Sequence, residues 1–126
     1  VNPYAVRVVI TGSRPDPSAF GEFPHFISFD GFIDVEYTPE QLERVALISE
    51  PFCRYAKWKG GPEPLPAQEK QVIEQLIAKS HKAGKPIRFW CSPDNAVAWE
   101  TFRKLGIDII NTDQPEACTL YFQQNP

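Results

Sequence analysis

The chain has 126 residues and a formal net charge of −3, enough for one domain with its own core. The slight acidic excess provides no basic face for nucleic acid, and no apolar run approaches the ~20 residues of a transmembrane helix. The 13 prolines fall mostly between apolar segments, which points to long structured connections.

Val1-Asn2-Pro3-Tyr4 has neither the basic nor the apolar region of a signal peptide. A chain opening on Val1 and lacking methionine is expected to have a start that was processed, trimmed or chosen. The sequence fixes no compartment; a soluble, secreted or periplasmic parent is compatible with it. Cys53, Cys91 and Cys118 are widely spaced and odd in number, which argues against a disulfide framework and for buried free thiols. Two histidines, His25 and His81, are too few for a histidine-rich metal site.

In chain order, Val6-Arg7-Val8-Val9-Ile10 is a β-branched run and predicts a strand, turned by Thr11-Gly12-Ser13-Arg14-Pro15. Asp16 to Pro24 leaves room for at most one helical turn. Phe26 to Asp30 predicts a second strand, ended by Gly31. Thr38-Pro39-Glu40-Gln41 combines an N-cap, proline at the first helical position and a capping-box glutamine. The helix it starts is expected to bury Leu42, Val45, Ala46 and Ile48 and to stop at Pro51. Phe52 to Pro64 is irregular; its Tyr55, Lys57, Trp58 and Lys59 read either as a lid or as loop anchors. Pro66 to Ala83 is the clearest helix, with Val72, Ile73, Leu76, Ile77 and Ala83 on one face.

From Gly84 onward the pattern is strand, helix, strand. Gly84 and Pro86 end one helix, and Ile87 to Cys91 forms a strand. Asp94 or Asn95 caps a helix with Val97, Ala98, Phe102 and Leu105 on its apolar side and Glu100, Arg103 and Lys104 toward water. Gly106 stops it, and Ile107 to Asn111 forms the last strand. A short helix follows through Phe122. Two strands joined by a helix of this length should be parallel neighbours.

Ile87-Arg88-Phe89-Trp90-Cys91-Ser92-Pro93-Asp94-Asn95, followed by Leu105-Gly106-Ile107-Asp108-Ile109-Ile110-Asn111-Thr112-Asp113-Gln114-Pro115, resembles the last two strand units of glycerophosphodiester phosphodiesterase-like proteins. These belong to the wider superfamily that includes phosphatidylinositol-specific phospholipase C. The shared pattern is a tryptophan-bearing strand, a polar turn, a helix, then Gly-(Ile/Val)-Asp and Thr-Asp-x-Pro. The resemblance is concentrated in residues 84 to 116 and extends, more weakly, over Val6 to Lys59. It implies a (β/α)8 barrel, of which 126 residues hold only part, since a complete one takes roughly 250. The expected fold is therefore α/β: a single domain over residues 1–126, the C-terminal half of a TIM-type barrel with about four β/α units and strands near 6–10, 26–30, 87–91 and 107–111.

Barrel enzymes carry their chemistry at the C-terminal ends of the strands. Here these ends hold Thr11, Ser13 and Arg14; Asp30; Trp90, Ser92 and Asp94; and Asn111 and Asp113. Alternation along strands puts Arg7, Val9, Thr11, Ser28, Asp30, Arg88, Trp90 and Ser92 on one polar face, and Val6, Val8, Ile10, Ile27, Phe29, Ile87, Phe89 and Cys91 on an apolar face beneath the helices. The candidate substrate-binding residues are Arg14, Asp30, Trp90 and Asn111. Arg14 follows a glycine turn and can fork onto a phosphate, although a solvated loop charge is an equally simple reading. Arg88 reads as the interior counterion of Asp30, and Asp113 as a helix N-cap.

The resemblance also implies hydrolysis by a histidine acid–base pair and, in the phosphodiesterase branch, a divalent cation (Ca or Mg) held by carboxylates. Both come from the N-terminal half of that barrel. No stretch here matches its His-Arg-Gly opening or its Glu-x-Asp pair. His25 precedes its strand, and His81 lies among lysines on a helix. Neither catalytic residues nor metal ligands are expected in this chain. The implied partners are a phosphodiester substrate and either the N-terminal half-barrel or a second copy of the chain. A non-catalytic binding or assembly module is the alternative.

Overall fold

The computed structural model describes Asn2 and residues 5–126; the leader reading of Val1-Asn2-Pro3-Tyr4 falls mainly on residues outside that set. The core of the fold is a five-stranded, all-parallel sheet whose spatial order is its sequence order. Its strands are β1 (Val8–Ile10), β2 (Ile27–Gly31), β3 (Val45–Pro51), β4 (Ile87–Trp90) and β5 (Ile109–Ile110). The helices are α1 (Pro39–Arg44), α2 (Phe52–Tyr55), α3 (Ala67–Lys82), α4 (Ala96–Leu105) and α5 (Pro115–Gln124), with a 3-10 helix at Pro17–Glu22. None of them is long and apolar enough to cross a membrane among the described residues.

Stepping always to the next strand with right-handed crossovers puts the helical connections on one side of the sheet. Burial agrees with that side. Phe29, Val45, Ile48, Ile87 and Phe89 are buried with Ile73 and Ile77 of α3 and Phe102 of α4. Phe20 stacks on Phe29 at 4.0 Å between ring centroids, so the 3-10 helix covers the β2 end of the core. That helix, capped by Asp16 through Ser18 N–H, is longer than the one turn expected.

β3 corrects the expected helix from Thr38 to Pro51. The capping box forms as read, with Gln41 N–H donating to Thr38 Oγ1 and Thr38 N–H to Gln41 Oε1. The helix then ends at Arg44, and Val45–Pro51 extends as a strand. The apolar spacing of Leu42, Val45 and Ala46 suits a helix. The run Val45-Ala46-Leu47-Ile48 equally suits a strand buried on both faces, and ladders on both flanks decide for the strand.

A register shift between Phe29 and Asp30 leaves Ala46 as the extra residue of β3. Val45 thereby stays beside Phe29 on the helix-side face, while Leu47 and Ser49 turn to the face of Asp30 and Arg88. Gly31 is required at this point: a Cβ there would lie 2.6 Å from Val45 Cγ1.

Two further expectations are corrected. Cys53 and Cys91 are joined by a disulfide, with Cα atoms 5.6 Å apart and a sequence separation of 38; Cys118 alone is free, and it is buried. The N-cap of α5 is Gln114 rather than Asp113. Asp113 instead donates its N–H to Asp94 Oδ2 at 2.9 Å, and Asp94 Oδ1 accepts from the Trp99 indole at 2.8 Å. Asp94 thus ties α4 to the β5–α5 turn, while its neighbour Asn95 caps α4 by accepting from Ala98 N–H.

Burial pushes the Asp94 carboxyl up, but hydrogen bonds from Thr112, Asp113 N–H, Trp99 and Gln114 outweigh it and hold the group below its ordinary value. Its contribution to stability is then fully present above the unfolded carboxylate pKa of about 3.9 and is lost as pH falls through the lower folded value. Asp94→Asn should cost about 1–2 kcal/mol at neutral pH and flatten the acid limb of the stability curve. Urea titrations of both proteins between neutral and acid pH check this; parallel curves would contradict it.

Candidate functional site

The two faces of the sheet differ as strand alternation predicts. On the side away from the helices, Ser28, Asp30 and Ser49 are buried polar residues, and Arg88 is partly buried among them. Asp30, Ser49 and Arg88 border a cavity of about 260 Å³, lined also by Thr11, Gly12, Arg14, Phe32 and Trp90. Most of this lining comes from the C-terminal ends of β1, β2 and β4 and the turns that follow.

Asp30 is the centre of the site. Its Oδ2 accepts from Thr11 Oγ1 at 2.7 Å and from Arg88 Nη2 at 3.1 Å, which is the interior ion pair expected from sequence. Arg88 is fixed from its other side by Ser49 Oγ, which accepts from Nε at 3.0 Å and from Nη2 at 2.8 Å. Arg14 Nη1 donates to the Asp30 carbonyl oxygen at 2.5 Å and lies 3.9 Å from Oδ2. The Arg14 guanidinium also sits over the Phe32 ring, 3.7 Å from its centroid, a cation–π contact. A solvated loop charge is thereby replaced by a nearly buried one, since the Arg14 side chain is 10% exposed.

Two guanidinium groups against one carboxylate leave the cavity with one formal positive charge. The second carboxylate oxygen, Asp30 Oδ1, is buried and accepts no hydrogen bond among the described residues. A buried acceptor without a donor costs about 1–3 kcal/mol, and Oδ1 is closed to solvent. Trp90 at the rim is 45% exposed, leaving an aromatic face for an apolar or sugar-like surface. The arrangement suits a small ligand carrying an anionic group and a flat apolar side.

Of the four candidates, Arg14, Asp30 and Trp90 meet in this cavity. Asn111 does not line it. It follows β5, one residue beyond the Phe89–Ile110 pair, as Trp90 does on β4, and so stands beside Trp90 at the sheet end. Ser49 and Phe32 were not singled out from sequence. The alternation of Leu47 and Ser49 marks Ser49 once residues 45–51 are a strand. Tyr55 and Trp58 prove to be anchors rather than a lid: Trp58 is buried and donates its indole N–H to the Glu63 carbonyl, and the Tyr55 hydroxyl donates to the buried Glu50. Burial and Glu50 push the Tyr55 phenol up to about 12.

Neither histidine lines the cavity. His25 borders a depression beside the 3-10 helix and α1. His81 is exposed on α3, and its Nε2 lies 2.7 Å from Asp108 Oδ2, which also accepts from Ile87 N–H. Among the described residues no three His, Cys, Asp or Glu cluster to hold a metal ion. The cavity itself does not fit a divalent cation: Asp30 is its one carboxylate, and Arg14 and Arg88 flank it with like charge. No protein family, curated protein or solved structure matches this chain.

Proposed function

We propose that this chain is the substrate-shaping C-terminal half of a phosphoric diester hydrolase of the glycerophosphodiester or phosphoinositide type. In this reading the sheet is the last part of a TIM-type (β/α)8 barrel. The observation that carries it is the cavity where Arg14, Arg88 and Asp30 converge at strand ends, with Trp90 at its rim. The guanidinium forks receive the phosphoryl oxygens, and Trp90 covers the apolar face of the alcohol moiety. The resemblance of residues 84–116 to glycerophosphodiester phosphodiesterase-like proteins supports the same ligand class. The acid–base histidines and the Ca or Mg site belong, in this reading, to the N-terminal half.

The expected result is saturable binding of sn-glycerol 3-phosphate by the pure chain with no turnover of glycerophosphodiesters. Arg14→Ala should weaken binding roughly tenfold or more, the worth of one charge-assisted hydrogen bond. Calorimetric titration checks the first part and product release the second. Turnover by the pure chain that a chelator abolishes would overturn the reading.

The second reading is a non-catalytic half-barrel that works by assembly. It is favoured by β1 and β5, each paired on one side only among the described residues. Such edges offer backbone donors and acceptors to another strand, and barrel closure removes them. The pure chain is expected to sediment as a dimer, with the first and last strands of two copies meeting. A well-folded monomer at micromolar concentration would contradict that.

A further inference from the structure

The Cys53–Cys91 disulfide does not line the cavity but stands one residue beyond its rim. Cys91 directly follows Trp90, and its backbone is left-handed, with φ of 54°, a conformation that costs a non-glycine residue roughly 1–2 kcal/mol. The chain therefore turns sharply just beyond the cavity's aromatic rim. Upstream, Phe89 is buried in the core. Downstream, Asp94 is held by Trp99 and Asp113. Between these fixed points Trp90 is paired with Pro51 in the β3–β4 ladder, and the turn beyond it is held by the disulfide and by Ser92 Oγ donating to the Phe89 carbonyl at 3.3 Å. Cys53 holds its end from α2, a helix anchored by buried Phe52 and by the Tyr55–Glu50 hydrogen bond. Both bonded cysteines are exposed to solvent.

We propose that the Cys53–Cys91 bond is a redox gate on the cavity: oxidised, it holds Trp90 at the mouth, and reduced, it releases Trp90 and weakens ligand binding. The inference rests on the cavity being the ligand site of the reading above. The reductant is a dithiol. One of its thiolates attacks Sγ of Cys53 or Cys91, forming a mixed disulfide and expelling the other cysteine as a thiolate that takes up a proton. The second thiolate of the reductant then attacks its own partner sulfur, closes the reductant's disulfide and frees the remaining cysteine. Two electrons and two protons reach the cysteine pair. Cys118 is a poor competitor for either thiol, because it is buried in the α5 packing and burial, with Asp94 nearby, pushes its thiol up. Reduction frees Cys91 to leave the left-handed region, and the Trp90 side chain at the strand end turns with it while the Trp90 backbone keeps its pairing to Pro51.

The test titrates sn-glycerol 3-phosphate into oxidised and dithiothreitol-reduced chain, in the natural sequence and in Trp90→Ala. The Trp90 indole N–H resonance, assigned by its loss in that variant, is followed in parallel. Reduction should weaken binding roughly tenfold, the worth of one well-placed aromatic contact, and should shift the Trp90 resonance. Trp90→Ala should bind as weakly as the reduced chain in both redox states. Unchanged affinity with an unchanged resonance on reduction overturns the gate. So does an equal loss on reduction in Trp90→Ala, or collapse of the helical circular dichroism, either of which makes the bond a general staple. If the oxidised chain binds nothing, the cavity reading fails, and the resonance alone decides whether the bond positions Trp90. Cys53→Ser with Cys91→Gly supplies a second reduced-like protein in which glycine tolerates the left-handed turn; its affinity should lie between those of the oxidised and reduced chains, and a value at or below the reduced chain's overturns the positioning role.

Discussion

Replacing Asp30 with alanine should lower the unfolding free energy by about 3 kcal/mol, toward the lower end of the range for breaking a buried ion pair. The Asp30 side chain is 4% exposed and is the one carboxylate facing two guanidinium groups, of which Arg14 is nearly buried and Arg88 is 28% exposed. Removing it strands Arg14 in a place water reaches poorly and leaves Arg14 and Arg88 as unscreened like charges. The partial exposure of Arg88 is why the upper end of the range is not reached. Asp30→Asn keeps the shape and a hydrogen-bond acceptor, and should cost about half as much. In a cycle with Arg88→Leu, the double variant should be more stable than the sum of the single losses. Urea unfolding of the four proteins measures the coupling. Strict additivity would mean that Asp30 and Arg88 do not act as a pair.

Loss of the Cys53–Cys91 bond should have an effect of similar size by another route. The bond closes a loop of 38 residues, and loop-closure entropy predicts about 3–4 kcal/mol of stabilisation through the unfolded chain. For a domain of this size that corresponds to a melting point lower by on the order of 10–15 °C. Thermal melts with and without dithiothreitol, and of Cys53→Ser/Cys91→Ser, should agree with each other. A melting point unmoved by reduction would show that the unfolded chain is no freer without the bond. The destabilisation and the proposed gate are separable: the first acts across the whole chain, the second through Trp90 alone.

The interior pair of Asp30 and Arg88 could be read from sequence because strand alternation is strict. Once Phe29, Ile87 and Phe89 face the helices, Asp30 and Arg88 must share the other side. The capping box at Thr38 was equally legible, since its signals are local. β3 was not, because Val45-Ala46-Leu47-Ile48 continues the helical spacing begun at Leu42. Only the ladders to β2 and β4, far away in sequence, distinguish the two. Ser49 was lost with it. The disulfide was hidden by an odd cysteine count, and a pairing across 38 residues leaves no local trace. Asn111 illustrates a finer limit: it follows β5 beside the Trp90 strand end, but a cavity has a width, and Asn111 does not line it.

Titrating sn-glycerol 3-phosphate into the oxidised, isotope-labelled chain tests the cavity most directly, with the Nε resonances of Arg14 and Arg88 and the indole resonance of Trp90 as reporters. All three should shift together and saturate, and Arg14→Ala should remove most of the shift at the other two for the same ligand concentration. Shifts centred instead on the helix-covered face of the sheet, or no saturable shift at millimolar ligand, would contradict a phosphate-ester site on this face of the sheet.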